Sequence, residues 1–288
     1  HGTKCAGIIV GAESGVCGKG VAYNAQISGI RIYTNNRRST DQSEALGLSF
    51  QRDIVDIYSN GWGPGDMGWQ VKGPGPLLKE VLEKGAQLVS FMDHPKLTWR
   101  DVQHIIVRAA KPITSPNRET RWRRDKPSWN RNSAGLLVSS DFGFGLMDAK
   151  KMIEYAKKWR TVPRQLSCEA QLNATIFNSS RLVIPWRGDL RLTIPLKQEK
   201  CNIQYLEHMQ AEVNLRFPRR GYLEMFSTSP GGTRSKLLYS RKIDILTRRK
   251  TLTDWRVTSL HYWGEKPFGN WNFTIRSARP WSNLGAGK

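Results

Sequence analysis

The first group in the chain with evident catalytic chemistry is the imidazole of His1, which opens the segment His1-Gly-Thr-Lys-Cys-Ala-Gly7. Histidine titrates near neutral pH, so it is the side chain that enzymes use most often as a general base. A single histidine is more often an ordinary surface or core residue. The segment therefore becomes informative only together with other motifs in the chain.

The second chemical feature is charge, since 45 Lys and Arg against 24 Asp and Glu give a net charge of +21. Such an excess predicts an anionic partner: nucleic acid, a heparin-like polysaccharide or an anionic membrane surface. Basic residues and tryptophans are densest between Arg118 and Arg131, where they could bind phosphates and stack on bases. A solvated loop is the alternative. No nucleic-acid-binding motif accompanies the run, so the sequence favours polyanions and not nucleic acid.

Cysteines and glycosylation acceptors indicate the compartment. The cysteines are Cys5, Cys17, Cys168 and Cys201. None forms a C-x-x-C pair, so a structural zinc site is not favoured. The Asn-x-Ser/Thr acceptors are Asn173, Asn178 and Asn272. Two of the three lie in one cysteine-flanked stretch, which favours a secretory context.

The first half of the chain alternates strand and helix patterns. Predicted strands cover 25–32 and 54–58, and predicted helices cover 41–50, 77–86, 99–110 and 147–159. Thr98 is a candidate cap for the third helix, and Pro163 follows the last one. Alternation of this kind predicts an α/β domain with a parallel sheet.

After Pro163 the pattern changes to short strands separated by turns such as Pro230-Gly-Gly232. Predicted strands cover 182–185, 190–194, 211–217, 222–226, 236–239 and 271–275. This pattern predicts an antiparallel β-sandwich or barrel. We therefore expect a domain boundary between residues 162 and 163, with an α/β domain at 1–162 and an all-β domain at 163–288.

Four segments of the first half resemble the subtilisin-like serine proteases, and most closely the furin/kexin-type proprotein convertases. They are His1–Gly7 with Gly18–Arg31, Asp56–Pro64, Leu97–His104 and Phe142–Ala149. The second half resembles the P domain of the same family, a jelly-roll-like barrel. Its matching segments are Leu206–His208, Pro218–Gly221, Ser229–Thr233, Asp254–Trp255 and Trp263–Glu265. The resemblance predicts an incomplete subtilisin-like domain followed by a P domain whose last strand, after Ile275, is missing.

The resemblance also implies roles for particular residues. His1 would be the general base, and the segment with Gly61, Trp62 and Gly63 would pair with the substrate backbone as an edge strand. Family positions that contact basic substrate residues are held here by Asp41, Glu44 and Asp66. Calcium is the implied cofactor, through Asp66, Val16 and Gly18. The implied partners are secretory precursors with basic cleavage motifs, in the Golgi, secretory vesicles or outside the cell, and any membrane anchor would lie outside this chain.

Three catalytic parts of the family pattern have no counterpart inside the chain. The nucleophile motif Gly-Thr-Ser-Ala-x-x-Pro should stand before Leu97, but the sequence passes from the helix at 77–86 almost directly to that residue. The oxyanion Asn of the family is lost with it, and the family's Asp segment would lie before residue 1. Ser59 and Ser90 lack the flanking small residues of a nucleophile turn. We therefore expect the chain to be inactive.

The remaining expectations concern the cysteines and the function class. Cys168 and Cys201 flank the start of the P-domain match and are predicted to form a disulfide. The family's partner for Cys17 is missing, so Cys17 and Cys5 are expected to be unpaired. Three functions remain open: a convertase endopeptidase of which this is a part, a catalytically dead binding or decoy module, and a polyanion-binding protein.

Overall fold

The computed structural model describes residues 1–16, 18–33, 39–63, 73–87, 97–113, 129–172, 183–185, 188–246 and 249–277. It divides into two compact units. The N-terminal unit comprises His1–Asp66 and Lys72–Trp99, and the β unit comprises Met67–Val71 and Arg100–Lys288. The compact units thus divide near residue 99, whereas the predicted domain boundary lies at residue 162 and stays a prediction. No helix in the described ranges is long and apolar enough to cross a membrane.

Helices dominate the described part of the N-terminal unit: α1 (Gly2–Val10), α2 (Asp41–Gly47) and α3 (Pro76–Gln87). Helix α2 begins with a reciprocal cap, in which Thr40 Oγ1 accepts from the Ser43 amide and Ser43 Oγ accepts from the Thr40 amide. Such a cap satisfies two donors that a helix start would otherwise leave free. Helices α2 and α3 pack against each other. The predicted helices at 41–50 and 77–86 are confirmed.

The parallel sheet predicted for the first half is not found in the described residues 1–99. Residues 25–32 and 54–58 form no strand, and the side chains of Ile27 and Ile57 are 59% and 78% exposed. A strand needs a neighbour that pairs its backbone amides and carbonyls. No described segment of this unit provides one, so the two strand predictions are wrong.

Two helices and a short hairpin open the β unit: α4 (Trp99–Ala109), β1 (Asn130–Arg131), β2 (Leu137–Val138) and α5 (Ala149–Lys157). The carboxylate of Asp101 in α4 is fully buried. Its Oδ1 accepts hydrogen bonds from the Trp159 indole and the Val162 amide, both at 2.8 Å. This carboxylate therefore ties α4 to the chain that leaves α5.

The strands of the second half form two antiparallel sheets. They are β3 (Asp189–Leu196), β4 (Met209–Arg216), β5 (Leu223–Thr228), β6 (Arg234–Leu238), β7 (Thr251–Ser259) and β8 (Gly269–Ser277), with helix α6 (Lys242–Leu246) between β6 and β7. One sheet has the order β3-β8-β5-β6, and the other pairs β4 with β7. The described strands do not close into a barrel, which corrects the barrel prediction, because β3 and β4 do not pair. Strand β3 carries Pro195, which suits an unpaired edge.

The core lies between the two sheets. Strand β5 alternates fully buried and half-buried residues, as a strand with one face on a core must. The main buried cluster contains Phe217, Leu223, Met225, Leu238, Leu252, Val257 and Ile275. Five of the six predicted strands overlap observed ones, whereas residues 183–185 form no strand and β7 was not predicted.

Candidate functional site

His1 stands immediately before α1, so its carbonyl oxygen accepts the Cys5 amide at 3.1 Å as part of the first helical turn. The four-residue spacing places Cys5 over His1 on one side of that turn. Cys5 Sγ lies 3.6 Å from His1 Nδ1. This contact was not predicted from the sequence, although the i, i+4 spacing of a histidine and a cysteine at a helix start could have indicated it.

Gly61 lies against the imidazole of His1. A Cβ atom at residue 61 would stand 3.1 Å from His1 Nδ1 and 3.6 Å from Cys5 Sγ, closer to the nitrogen than most Cβ contacts. The missing side chain therefore lets this backbone approach the ring. Trp62 follows and meets the Tyr33 ring edge-on at 6.1 Å, while Gly63 faces open space. The predicted substrate segment thus lies beside His1, although its described residues are not paired as a strand.

The predicted acidic contacts have structural partners. Both carboxylate oxygens of Asp41 accept backbone amides at the start of α3, from Leu77 and Leu78, at 2.9 Å each. A Cβ on Gly75 would clash with that carboxylate at 2.2 Å, so glycine permits this cap. Glu44 accepts the hydroxyl of Ser39. Asp66 lies outside the described residues, and the substrate roles of all three acids stay predictions.

The chemistry available at His1 follows from its neighbours. In a serine-protease triad an Asp holds the Nδ1 proton and a Ser hydroxyl faces Nε2. Here a thiol stands beside Nδ1, and no carboxylate or serine hydroxyl of the described chain is hydrogen-bonded to the ring. Ser59 is exposed, and Ser90 lies outside the described residues. The described groups can therefore hold a proton at the imidazole but provide no activated nucleophile.

The described loop predicted to bind calcium contains one carboxylate, that of Glu13. The carbonyl of Val16 accepts the Ser14 hydroxyl at 3.1 Å, and Glu13 pairs with Lys19 at 3.2 Å. Gly18 adopts a positive φ of 52°. Calcium needs six to eight oxygen ligands. Over the described part of this loop the side-chain donors do not fit calcium, since Glu13 is the one carboxylate and it is paired with Lys19.

The predicted disulfide is present. Cys168 and Cys201 are bonded with an S–S distance of 2.07 Å, and Cys5 is free as expected. Cys17 lies outside the described residues, as do the acceptors Asn173 and Asn178. Asn272 lies in β8 with an exposed side chain, and its Oδ1 accepts the Thr193 hydroxyl at 2.8 Å.

Two motifs that lie about a hundred residues apart in the sequence meet in the β unit. Glu207 accepts hydrogen bonds from Arg100 at 2.5 Å and 3.0 Å, and from His104 at 2.8 Å. The three side chains are largely buried. Burial raises the pKa of Glu207, but the hydrogen bonds from Arg100 and His104 outweigh it and hold that pKa below its ordinary value. We call this cluster the α4 junction, because it fastens α4 to the loop before β4.

A second contact fastens the β1–β2 hairpin to the same unit. The amide of buried Asn132 donates to the carbonyls of His261 and Trp263, at 3.0 Å and 2.9 Å. Glu265 Oε1 accepts the Ser133 amide and the Thr233 hydroxyl. Two segments of the P-domain resemblance, Ser229–Thr233 and Trp263–Glu265, are therefore joined by hydrogen bonds to each other and to this hairpin.

One buried ion cluster was not predicted from the sequence. The fully buried carboxylate of Asp244 in α6 is bound by the guanidinium groups of Arg220 and Arg241, each with a contact at 3.1 Å. A Cβ on Gly221 would stand 2.3 Å from the Ile245 amide, so glycine lets α6 approach. The Arg-Gly-Tyr sequence at 220–222 is thus a docking point for α6.

Comparison with known proteins assigns families to the two ends of the chain. A family model for the subtilase family matches residues 1–89, and one for the proprotein convertase P-domain matches residues 206–284. Furin-like protease 1, isoform 1-CRR, from Drosophila melanogaster is 30% identical over 378 aligned positions, covering 96% of this chain and 32% of the fly protein. Human proprotein convertase subtilisin/kexin type 6 is 28% identical over 96% of this chain and 37% of its own length.

The chain therefore spans about a third of the length of these relatives. The alignment with the fly protein is longer than the 288 residues of this chain, so that protein carries residues within the matched span that have no counterpart here. Among solved structures, the serine protease of Aeromonas sobria is similar, with 25% identity and a TM-score of 0.52. The match covers 72% of this chain and 38% of that protein.

Proposed function

The chain belongs to the furin-like proprotein convertase family of subtilases, and from this membership we propose what the whole protein and this chain do. The whole protein is a serine endopeptidase that cleaves secretory precursors after paired basic residues. The 288-residue chain lacks a nucleophile segment and does not cleave peptides.

One observation carries the proposal: the imidazole of His1 lies against Gly61 in the Ser-Asn-Gly-Trp-Gly segment. A protease of this type needs its general base beside the backbone that holds the substrate, because the base must reach the attacked peptide bond. The contact between His1 and Gly61 supports that arrangement at residues far apart in the sequence. The P-domain match supports the convertase branch of the subtilases.

The inactivity of the chain rests on a gap inside it. No Gly-Thr-Ser-Ala motif occurs in the sequence, and relatives have residues within the matched span that this chain lacks. Without the serine there is no acyl-enzyme route, and in subtilisin itself the loss of this serine lowers kcat by a factor of about 10⁶. Loss of an oxyanion donor lowers kcat by a factor of about 10²–10³. The loss of the serine alone is large enough to remove turnover from routine detection.

The compartment and the cofactor follow from the same membership. The disulfide and the predicted glycosylation acceptors support a secretory or extracellular location. Calcium is implied by the family, but the described donors around Val16 and Gly18 do not fit it, so no step of the proposal depends on calcium.

Cleavage of an Arg-x-Lys-Arg fluorogenic peptide by the purified chain tests the proposal. We expect no turnover with or without calcium, and no change on His1→Ala compared with the control substitution Lys4→Ala on the same helix. Turnover that His1→Ala abolishes and Lys4→Ala leaves intact would contradict the proposed inactivity.

A catalytically dead binding module is the second candidate, favoured by the well-packed β unit with its disulfide and buried ion cluster. Transcript sequencing across the Gln87–Leu88 codons separates the two. A transcript that encodes a nucleophile segment at this point supports the endopeptidase. A single transcript class that joins the two codons directly supports the binding module.

A further inference from the structure

The outer face of the four-stranded sheet carries a regular array of polar, cationic and aromatic side chains. Register places Arg191, Thr274, Phe226 and Lys236 in one row across β3, β8, β5 and β6. The next row is Thr193, Asn272, Thr228 and Arg234. These eight residues, together with Arg276 of β8, are called the outer platform. Its side chains alternate along each strand with those of the core, so they face away from the core.

Phe226 organises the cations of the outer platform. The guanidinium of Arg234 lies 4.4 Å from the centre of its ring, while Lys236 and Arg276 each lie 5.3 Å away. A cation over an aromatic face is held by the ring quadrupole. Three long side chains are therefore already oriented, which lowers the conformational entropy that a ligand must remove when it binds.

Carboxylates neutralise only part of this charge. Asp189 pairs with Arg276 at 3.1 Å, and Glu224 pairs with Lys236 at 2.6 Å. The side chain of Arg191 is 81% exposed and lies 3.7 Å from Asp189, which is shared with Arg276. No carboxylate in the described part of the chain lies within ion-pair distance of Arg234. The platform thus keeps a cationic excess at both of its edges.

We propose that the outer platform binds a sulfated acidic polysaccharide of the heparin type. Arg191 on β3 and Arg234 on β6 are three strand spacings apart across the sheet, about 14 Å, so they can contact separate sulfate groups along one chain. Between them lie Thr274 and, in the next row, three residues with hydroxyl or amide groups that suit sugar hydroxyls. Charge-assisted contacts to the sulfates would supply most of the affinity.

The array fits a polysaccharide better than nucleic acid. Single-stranded nucleic acid is held by bases that stack on free aromatic faces. In the outer platform the ring of Phe226 is already surrounded by cations and is only half-exposed. The phosphates of duplex DNA would contact the cations of the platform but would leave its central hydroxyl and amide groups unused.

Titration of the full chain with size-defined heparin at about 0.15 M salt tests the proposal. The protein is produced without N-glycans, because the platform contains the predicted acceptor Asn272 and the proposal requires this residue to be unglycosylated in the secreted protein. A glycan found on Asn272 of the secreted protein by mass spectrometry would overturn the proposal. The triple variant Arg191→Gln, Arg234→Gln, Lys236→Gln should bind heparin about tenfold or more weakly. The slope of log Kd against log salt concentration should decrease by an amount that corresponds to about three ionic contacts. The control Arg216→Gln, Lys250→Gln, Lys266→Gln removes the same charge from exposed positions outside the platform and should retain most of the affinity.

Phe226→Thr keeps every charge and introduces a β-branched residue, which suits a strand. It should weaken heparin binding about threefold or more, because the cations lose their shared support. Equal losses in the two triple variants would overturn the site, since affinity would then follow net charge alone. Binding of a duplex DNA as tight as that of heparin, with the same loss in the platform variant, would overturn the polysaccharide assignment.

Discussion

The two compact units differ in how they use apolar residues. In the described N-terminal unit the buried hydrophobic residues are Ala45, Leu78 and Leu97, whereas Ile8, Val21 and Ile57 are 70%, 82% and 78% exposed. The β unit buries a connected cluster between its two sheets, supplemented by fully buried polar side chains. Apolar content alone therefore does not produce a core.

The difference has a physical origin in the backbone. Each central strand of the β unit pairs its amides and carbonyls with neighbours, which fixes the direction of alternate side chains. The segments at 25–32 and 54–58 have comparable apolar residues but no described neighbour. A segment that cannot pair its backbone stays in contact with water, and its apolar side chains stay there with it.

Hydrogen exchange should show the largest contrast between the units. Amides of β5 and β8 open only with global unfolding, so they should exchange roughly a thousandfold more slowly than those of residues 25–32. Amides of α4 should follow the β unit, because the α4 junction holds them there. Mass spectrometry of peptic peptides after deuterium labelling measures this. If the amides of residues 25–32 exchanged as slowly as those of β8, the contrast between the two units would be wrong. If the amides of α4 exchanged as fast as those of residues 25–32, the domain boundary would lie at residue 162 and not near residue 99.

Breaking the buried ion cluster should have the next largest effect. Asp244→Ala leaves Arg220 and Arg241 buried without their carboxylate, which should lower the free energy of unfolding by about 3–5 kcal/mol. The control Glu13→Ala removes an exposed ion pair of the N-terminal unit and should change it by less than about 1 kcal/mol. Urea denaturation followed by tryptophan fluorescence reports both. Similar midpoints for the two variants would mean that Asp244 does not anchor α6.

The α4 junction should contribute a smaller amount. Glu207→Gln removes charged acceptors from Arg100 and His104 and should cost about 2 kcal/mol of unfolding free energy. The matched substitution Glu212→Gln affects an exposed pair with Arg256 and should cost about 0.5 kcal/mol or less. Calorimetric melting of both variants compares them. A loss at Glu212 as large as that at Glu207 would show that burial of the junction is not the cause.

The smallest predicted effect is a dependence of stability on pH. Burial lowers the pKa of His208 and His261 from the ordinary value of 6.5. As the pH falls below about 6.5, these imidazoles therefore bind more protons in the unfolded chain than in the folded chain, and the free energy of unfolding decreases. The melting temperature should be about 2–4 °C lower at pH 5.5 than at pH 7.5, and His208→Gln should reduce that difference. Glu207 does not act in this window, because its lowered pKa affects stability only in the acidic carboxyl range. An unchanged or higher melting temperature at pH 5.5 would contradict the prediction.

Local sequence patterns determined four of the six described α-helices and five of the eight described strands. Apolar spacing predicted α2, α3, α4 and α5, and alternation predicted five of the strands of the β unit. The disulfide between Cys168 and Cys201 and the free thiol of Cys5 also followed from sequence position and resemblance. These features depend on neighbours along the chain or on a preserved family pattern, so one sequence can reveal them.

Strand β7 shows what local pattern could not provide. Asp254 interrupts its alternation, adopts a positive φ of 47° and donates its amide to Asn214 of the bulged strand β4. Aspartate favours turns, so the sequence around Asp254 gives no strand pattern. Pairing with β4 overrides that preference, because the partner strand supplies the missing hydrogen bonds.

The sequence by itself determined the family resemblance, the segment around His1 and the absence of a nucleophile motif. Tertiary structure alone decided that Gly61 makes room for His1, that Asp41 caps α3 and that Glu207 binds α4. It also brought the cations of the outer platform around Phe226. Each of these contacts joins residues distant in sequence, and the partner of a carboxylate or a ring is fixed only when the backbone has folded around it.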